Sequence, residues 1–375
     1  MPRILPPKAH ARLWFRGHKT RAVLATLALA VGSTGLAGCG YYGQAVRGHM
    51  DLVSRSRPID DVIDDPETSP ALAERLRLVL EARRFAFDEL GLPDNGSYLQ
   101  YADLERRFVV WNVFAAPVDS LTPRQWCFPV AGCVVYRGYF REDAARSYAR
   151  GLEEEGFDVH VGGASAYSTV GWFKDPVVST MLTSNDGRLV GLLFHELAHQ
   201  RLYVKDHSEF NEAFASLVEE EGVRRWFAAR GGEEGWAAWR ARRARDAAVQ
   251  GLLEQTRAEL AALYADPPDP LRLHADKQAV FDTLRERYRA ISSDWPDTAG
   301  YDAWFAAEWN NARLVPVGTY RRLVPAFRAL LREEGGDLAR FYERCESLGE
   351  LPGSERDAEL ARLLALAPGV PGTTR

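Results

Sequence analysis

Apolar residues recur at helical spacing between residues 70 and 90, at Leu72, Leu76, Val79, Leu80 and Phe87, and Gly91 supplies a helix-stop signal. The period then changes. Residues 108–114 are β-branched and aromatic and predict a strand stopped by Pro117, and residues 134–140 predict another. A helix over 141–155 is closed by Gly156. Residues 157–161 alternate as a strand ending at Gly162-Gly163, and 166–173 give a further strand before Asp175-Pro176. From about Asp186 the pattern is helical almost throughout. One helix spans about 187–203. Asp206-x-x-Glu209 has the form of a capping box and opens a second, running to about Ala229. Further helices are expected at 236–264, 274–291, 299–313, 318–334, 336–347 and 355–366. The fold class is therefore α+β, with a small mixed sheet region over about 70–180 and a mainly helical body over about 181–375.

The first 69 residues read differently. Arg3, Lys8, Arg12, Arg16, Lys19 and Arg21 form a basic region, and residues 22–31 an apolar one too short to span a bilayer comfortably. Leu36-Ala37-Gly38-Cys39 then resembles the bacterial lipobox. The resemblance implies removal of residues 1–38, diacylation of Cys39 and a lipid-anchored body in the cell envelope, facing the periplasm. Gly40 in place of Asp favours the outer membrane. Residues 39–69 read as lipidated cysteine and tether, and 70–375 as the working body. Export permits disulfides, and Cys127 and Cys133 flank a Pro/Gly turn short enough for a local bridge. Cys345 reads as a buried thiol.

Composition adds little. Of 375 residues, 46% are hydrophobic and 26% charged, and the net charge of −5 gives no reason to expect a nucleic-acid partner. Arg240, Arg242, Arg243 and Arg245 are interleaved with alanine and read as a solvated helix face.

The chemistry is concentrated at His195-Glu196-Leu197-Ala198-His199. On a helix both imidazoles share a face and can reach one ion, while Glu196 flanks that face as a base. Zinc usually takes three protein ligands plus water. Leu202 and Lys205 stand where a metzincin would need Gly and His. The following helix offers Glu212, aimed back by a short turn, and His207 is the rival ligand. The run Asn211-Glu212-Ala213-Phe214-Ala215 downstream of H-E-x-x-H resembles the gluzincins, which implies Glu212 as third ligand of a single Zn2+. Ser216 occupies the place where gluzincins often carry an Asp, and Glu219, on the same face as Glu212, is the candidate substitute, unless Glu219-Glu220-Glu221 is a solvated charge run. Gluzincin aminopeptidases use a tyrosine from a later helix as oxyanion donor. Tyr320 is the candidate here, with Tyr167 and Tyr301 as alternatives.

The runs 127–140, 166–173, 195–200, 210–215 and Asn310-Asn311-Ala312 together resemble the bacterial putative-aminopeptidase family of gluzincin-like zinc lipoproteins. That resemblance implies hydrolysis of peptide substrates and release of N-terminal residues. A zinc endopeptidase or envelope-associated hydrolase would use the same parts. A non-catalytic envelope lipoprotein with a structural metal would have no use for Glu196.

Overall fold

A computed structural model describes residues 41–128, 132–166, 174–182, 185–316 and 322–366. Cys39, the proposed leader, Tyr167, Tyr320 and nearly all of the strand expected at 166–173 lie outside them. The chain divides into two compact units, 1–50 and 51–375. In the first, the described residues 41–50 are helical. No helix among the described residues is long and apolar enough to cross a membrane.

In the second unit, helical residues 51–54 are followed by β1 (Ser56–Pro58) and α1 (Ile59–Ile63), where the sequence suggested tether. The segment looks polar, yet β1 pairs with β2 (Gln100–Ala102) and Ile59 and Val62 are buried in the main core. Between them α2 (Pro70–Asp88) follows the expected periodicity, capped by Ser69 with Pro70 opening the first turn.

Three small sheets follow. In the first, β2 pairs antiparallel with β1 and parallel with β8 (Val177–Val178), so it is mixed. In the second, β3 (Val110–Pro117) is central, flanked by β6 (Arg137–Tyr139) and β7 (Phe157–Ala164). The third is a hairpin of β4 (Trp126–Phe128) and β5 (Gly132–Val134), joined by a Cys127–Cys133 disulfide. The strand expected at 134–140 is thus two short pieces. β7 runs through Gly162-Gly163, contrary to expectation, because Trp111 and Asn112 pair with them and the Phe108 ring occupies the space a side chain at Gly163 would fill. The helix α3 (Glu142–Glu154) lies along this sheet.

The helical body comprises α4 (Asp186–Arg201), α5 (Ser208–Ala229), α6 (Glu233–Ala265), α7 (Pro270–Ser292), α8 (Ala299–Ala306), α9 (Val324–Glu333), α10 (Leu338–Glu350) and α11 (Gly353–Ala365). The main core joins α2, α4, α5, α9, α10 and α11. A second cluster, built on Leu260, Phe281, Leu284, Phe305 and Trp309, holds α6, α7 and α8 together.

The helix expected over 299–313 ends at Ala306 and resumes as a 3₁₀ turn, Asn311–Leu314. Asn310 is extended, and its side chain accepts from the Arg313 N–H, so a cap replaces helix continuation. Asn311 is fully buried. Its Nδ2 donates to the carbonyls of Pro117, Val118 and Ser120, its Oδ1 accepts from the Tyr264 hydroxyl, and its N–H meets Asp158 at 2.8 Å. This asparagine ties the end of β3 to β7 and to the helix α6.

Candidate metal centre

The helix α4 starts where Asn185 accepts a hydrogen bond from the Arg188 N–H. Its buried face, Leu189, Val190, Leu193, Phe194, Leu197 and Ala198, packs into the main core, which fixes its rotation. His195, Glu196 and His199 are thereby turned to its partly open side. The helix α5 packs closely against α4, helped by Gly222, where a Cβ would meet Phe194 at 2.6 Å.

The turn between these helices sets the third candidate ligand. Asn211, buried, grips the peptide groups of Val204: its Oδ1 accepts from the Val204 N–H at 2.7 Å and its Nδ2 donates to the Val204 carbonyl at 2.8 Å. Glu212 is the next residue. Asn211 entered the sequence reading only as part of the motif run, because its partner is a backbone group seven residues earlier.

The expected capping box does not form. His207, not Asp206, is the N-cap residue of α5, and it makes no side-chain cap bond. Asp206 has a positive φ of 63° and its Oδ1 accepts from the Cys133 N–H at 3.1 Å, while Glu209 pairs with Arg322. The carboxylates that a local box would need are both committed elsewhere. The rival ligand His207 faces the Arg356 guanidinium instead, and burial together with that charge lowers its pKa.

His195 Nε2 and His199 Nε2 lie 3.2 Å apart. Glu212 Oε2 is 3.4 Å from the first and its Oε1 3.7 Å from the second. Ligands about 2.0–2.1 Å from a tetrahedral zinc are about 3.3–3.4 Å from one another. Two imidazole nitrogens and a carboxylate converge here on edges close to that length, and these three residues could hold a metal ion. The outer nitrogen of His195, Nδ1, faces Glu219 Oε2 at 3.4 Å. That of His199 is buried and has no hydrogen-bond partner among the described residues.

The electrostatics reflect this crowding. Against the cost of burial, the carboxylates of Glu212 and Glu219 raise His195 to about 10. Burial and the neighbouring His195 lower His199 to about 4. Burial pushes Glu196 up to about 7, opposed by His195 and reinforced by Glu212, Asp175 and Glu219. Glu212 is lowered, because its bond to His195 and the charge of both imidazoles outweigh burial.

The acidic run at 219–221 is not a uniformly solvated face. Glu220 pairs with Arg328 and Glu221 with Arg224 and Arg225, while Glu219 turns to His195. Nor is the basic run on α6 simply solvated: Arg243 Nη1 lies 3.8 Å from Glu219 Oε1 and its guanidinium is over Trp239. Ser216 is buried in α5. Tyr301 bonds to Asp246 and packs in the second cluster, so its hydroxyl is already engaged.

Sequence reasoning missed Asp175. It is buried, accepts from Gln200 Nε2 at 3.2 Å, and adds negative charge near Glu196. Gln200 in turn accepts from Asn95. Asp175 stood before a proline at a strand boundary, which read as punctuation.

No curated protein and no solved structure matches the chain significantly. The model of one family, described as "Putative aminopeptidase", matches residues 40–360 and so takes in both candidate ligand helices, both small three-stranded sheets and the Asn311 tie. The chain belongs to that putative aminopeptidase family.

Proposed function

We propose that the protein is a zinc-dependent aminopeptidase in which His195, His199 and Glu212 hold one Zn2+ and Glu196 is the general base. The triangle of two imidazoles and a carboxylate, with a second, non-ligating carboxylate on the next position of the same helix, carries the reading. A purely structural site needs no such base. Zinc held there would supply Lewis acidity to a peptide carbonyl and to the attacking water. Glu196 accepts a proton from that water and delivers it to the leaving amine, and a carboxyl group whose pKa burial has raised toward neutrality suits both transfers. Glu219 orients His195 through Nδ1. Tyr320 is the proposed donor to the developing oxyanion.

The substrate is a peptide with a free N-terminus, met in the cell envelope, where acylation of Cys39 would anchor the chain. Metal analysis of the purified protein, with a panel of free and N-acetylated peptides, tests the whole reading. One equivalent of zinc and cleavage confined to free N-termini are expected. Cleavage of acetylated peptides alone would replace aminopeptidase by endopeptidase, and absence of bound zinc would remove the mechanism.

A further inference from the structure

Glu219 lies where three helices meet, and its placement depends on residues outside the candidate ligand set. From α5 its carboxylate reaches both neighbouring helices: Oε2 faces His195 Nδ1 at 3.4 Å and Oε1 faces Arg243 Nη1, on α6, at 3.8 Å. Both side chains of the Glu219–Arg243 pair are 19% exposed, so the pair is shielded from much of the solvent that weakens surface ion pairs. The third wall is α4. Gly191 stands one turn before His195 on the same helix face, and a Cβ there would lie 3.3 Å from both Cγ and Oε1 of Glu219 and 3.2 Å from Val223 Cγ2. A side chain at 191 would therefore press on both the Glu219 carboxylate and Val223, each of which would have to give by a few tenths of an ångström.

We propose that Gly191 and Arg243 are positioning residues: together they hold the Glu219 carboxylate against His195 Nδ1 and so fix the orientation of one imidazole of the metal centre from outside it. Gly191 acts by absence, leaving room for the carboxylate. Arg243 acts by charge, drawing one oxygen away so that the other stays on the imidazole. Carboxylates on the outer nitrogen of a ligating histidine fix its tautomer and orientation, and their loss costs about 10–100-fold in metal affinity. The inference rests on the zinc reading for that affinity, and on the structure alone for the hydrogen bond.

The test uses the full-length protein, with Gly191→Ala, Arg243→Ala, Arg243→Lys and Glu219→Ala. Two quantities are read: zinc affinity by competition with a chromophoric chelator, and the His195 Nδ1–H proton resonance by NMR, which reports the bond with or without metal. Gly191→Ala and Arg243→Ala should each weaken zinc binding about tenfold or more and broaden the resonance. Arg243→Lys should recover most of both. Gly191→Ala gains helix propensity but crowds the buried Val223, so Tm is recorded beside affinity and the affinity loss is read against the Glu219→Ala background. In the Glu219→Ala background neither substitution should cost further affinity. Wild-type protein without zinc, but with the resonance lost in both variants, would sink the metal reading and keep this one. A resonance unchanged in both variants, or equal affinity losses with and without Glu219, would overturn it.

Discussion

At the scale of single residues, burial does opposite things to Glu196 and His160. It raises the carboxyl group toward neutrality and pushes the imidazole down to about 4, with the Arg313 charge adding to the second shift. For Glu196, in the proposed role of general base, the consequence is catalytic. Glu196→Gln keeps the shape but cannot take a proton, so kcat should fall about 10²–10⁴-fold with zinc content unchanged, as steady-state kinetics beside metal analysis would show. For His160 the consequence is stability. Its imidazole stacks on Phe114 and stays neutral in the folded protein, whereas the unfolded chain takes up a proton near pH 6.5. The contribution is complete above that pH and is lost as pH falls toward about 4, by about 3 kcal/mol at most. Urea titrations across that window should show the loss, and His160→Gln should flatten it. The histidine-glutamate motif was legible because its chemistry needs only helical spacing. Asp175 and Arg243 were not, since each meets the site from a distant part of the chain.

At the scale of elements, the α4–α5 hairpin shows which local signals hold and which yield. The start of α4 within a residue or two of 187, and the glycine stops at Gly91 and Gly156, depend on nearest neighbours and were readable; both glycines have the positive φ their positions require. The capping box at Asp206 was also a local pattern, but a backbone N–H from Cys133, 73 residues away, claims the Asp206 side chain. No short window contains that competitor. Asn211, passed over as part of a motif, is the clamp that shapes the turn. Asn211→Ala leaves the partly buried Val204 N–H unpaired and its carbonyl with the His207 N–H alone, and should destabilise the protein by about 1–3 kcal/mol. Thermal unfolding would record this, and zinc release to a chelator should quicken, since Glu212 is carried by the same turn.

At the scale of the molecule, the α+β class followed from the change of hydrophobic period near residue 186. The division of the second unit's helices between two cores did not, because amphipathic patterns say which face is buried but not against what. The break at Asn310-Asn311 belongs to the same gap: its partners on β3 and α6 are remote in sequence.

The candidate ligands, by contrast, are close along the chain. His195, His199 and Glu212 fall within 18 consecutive residues, on two helices joined by one short turn. Gathering them closes only a small loop, so little chain entropy opposes assembly of the centre once α4 and α5 meet. A metal held there would act as a clasp on one hairpin and not as a bridge between remote parts of the fold. Chelation should accordingly loosen the molecule locally. Amide hydrogen exchange should accelerate in the last two turns of α4 and the first turn of α5, while β3 and the α6–α7 cluster keep their protection. Uniform acceleration across all of these would mean that the metal supports the whole fold.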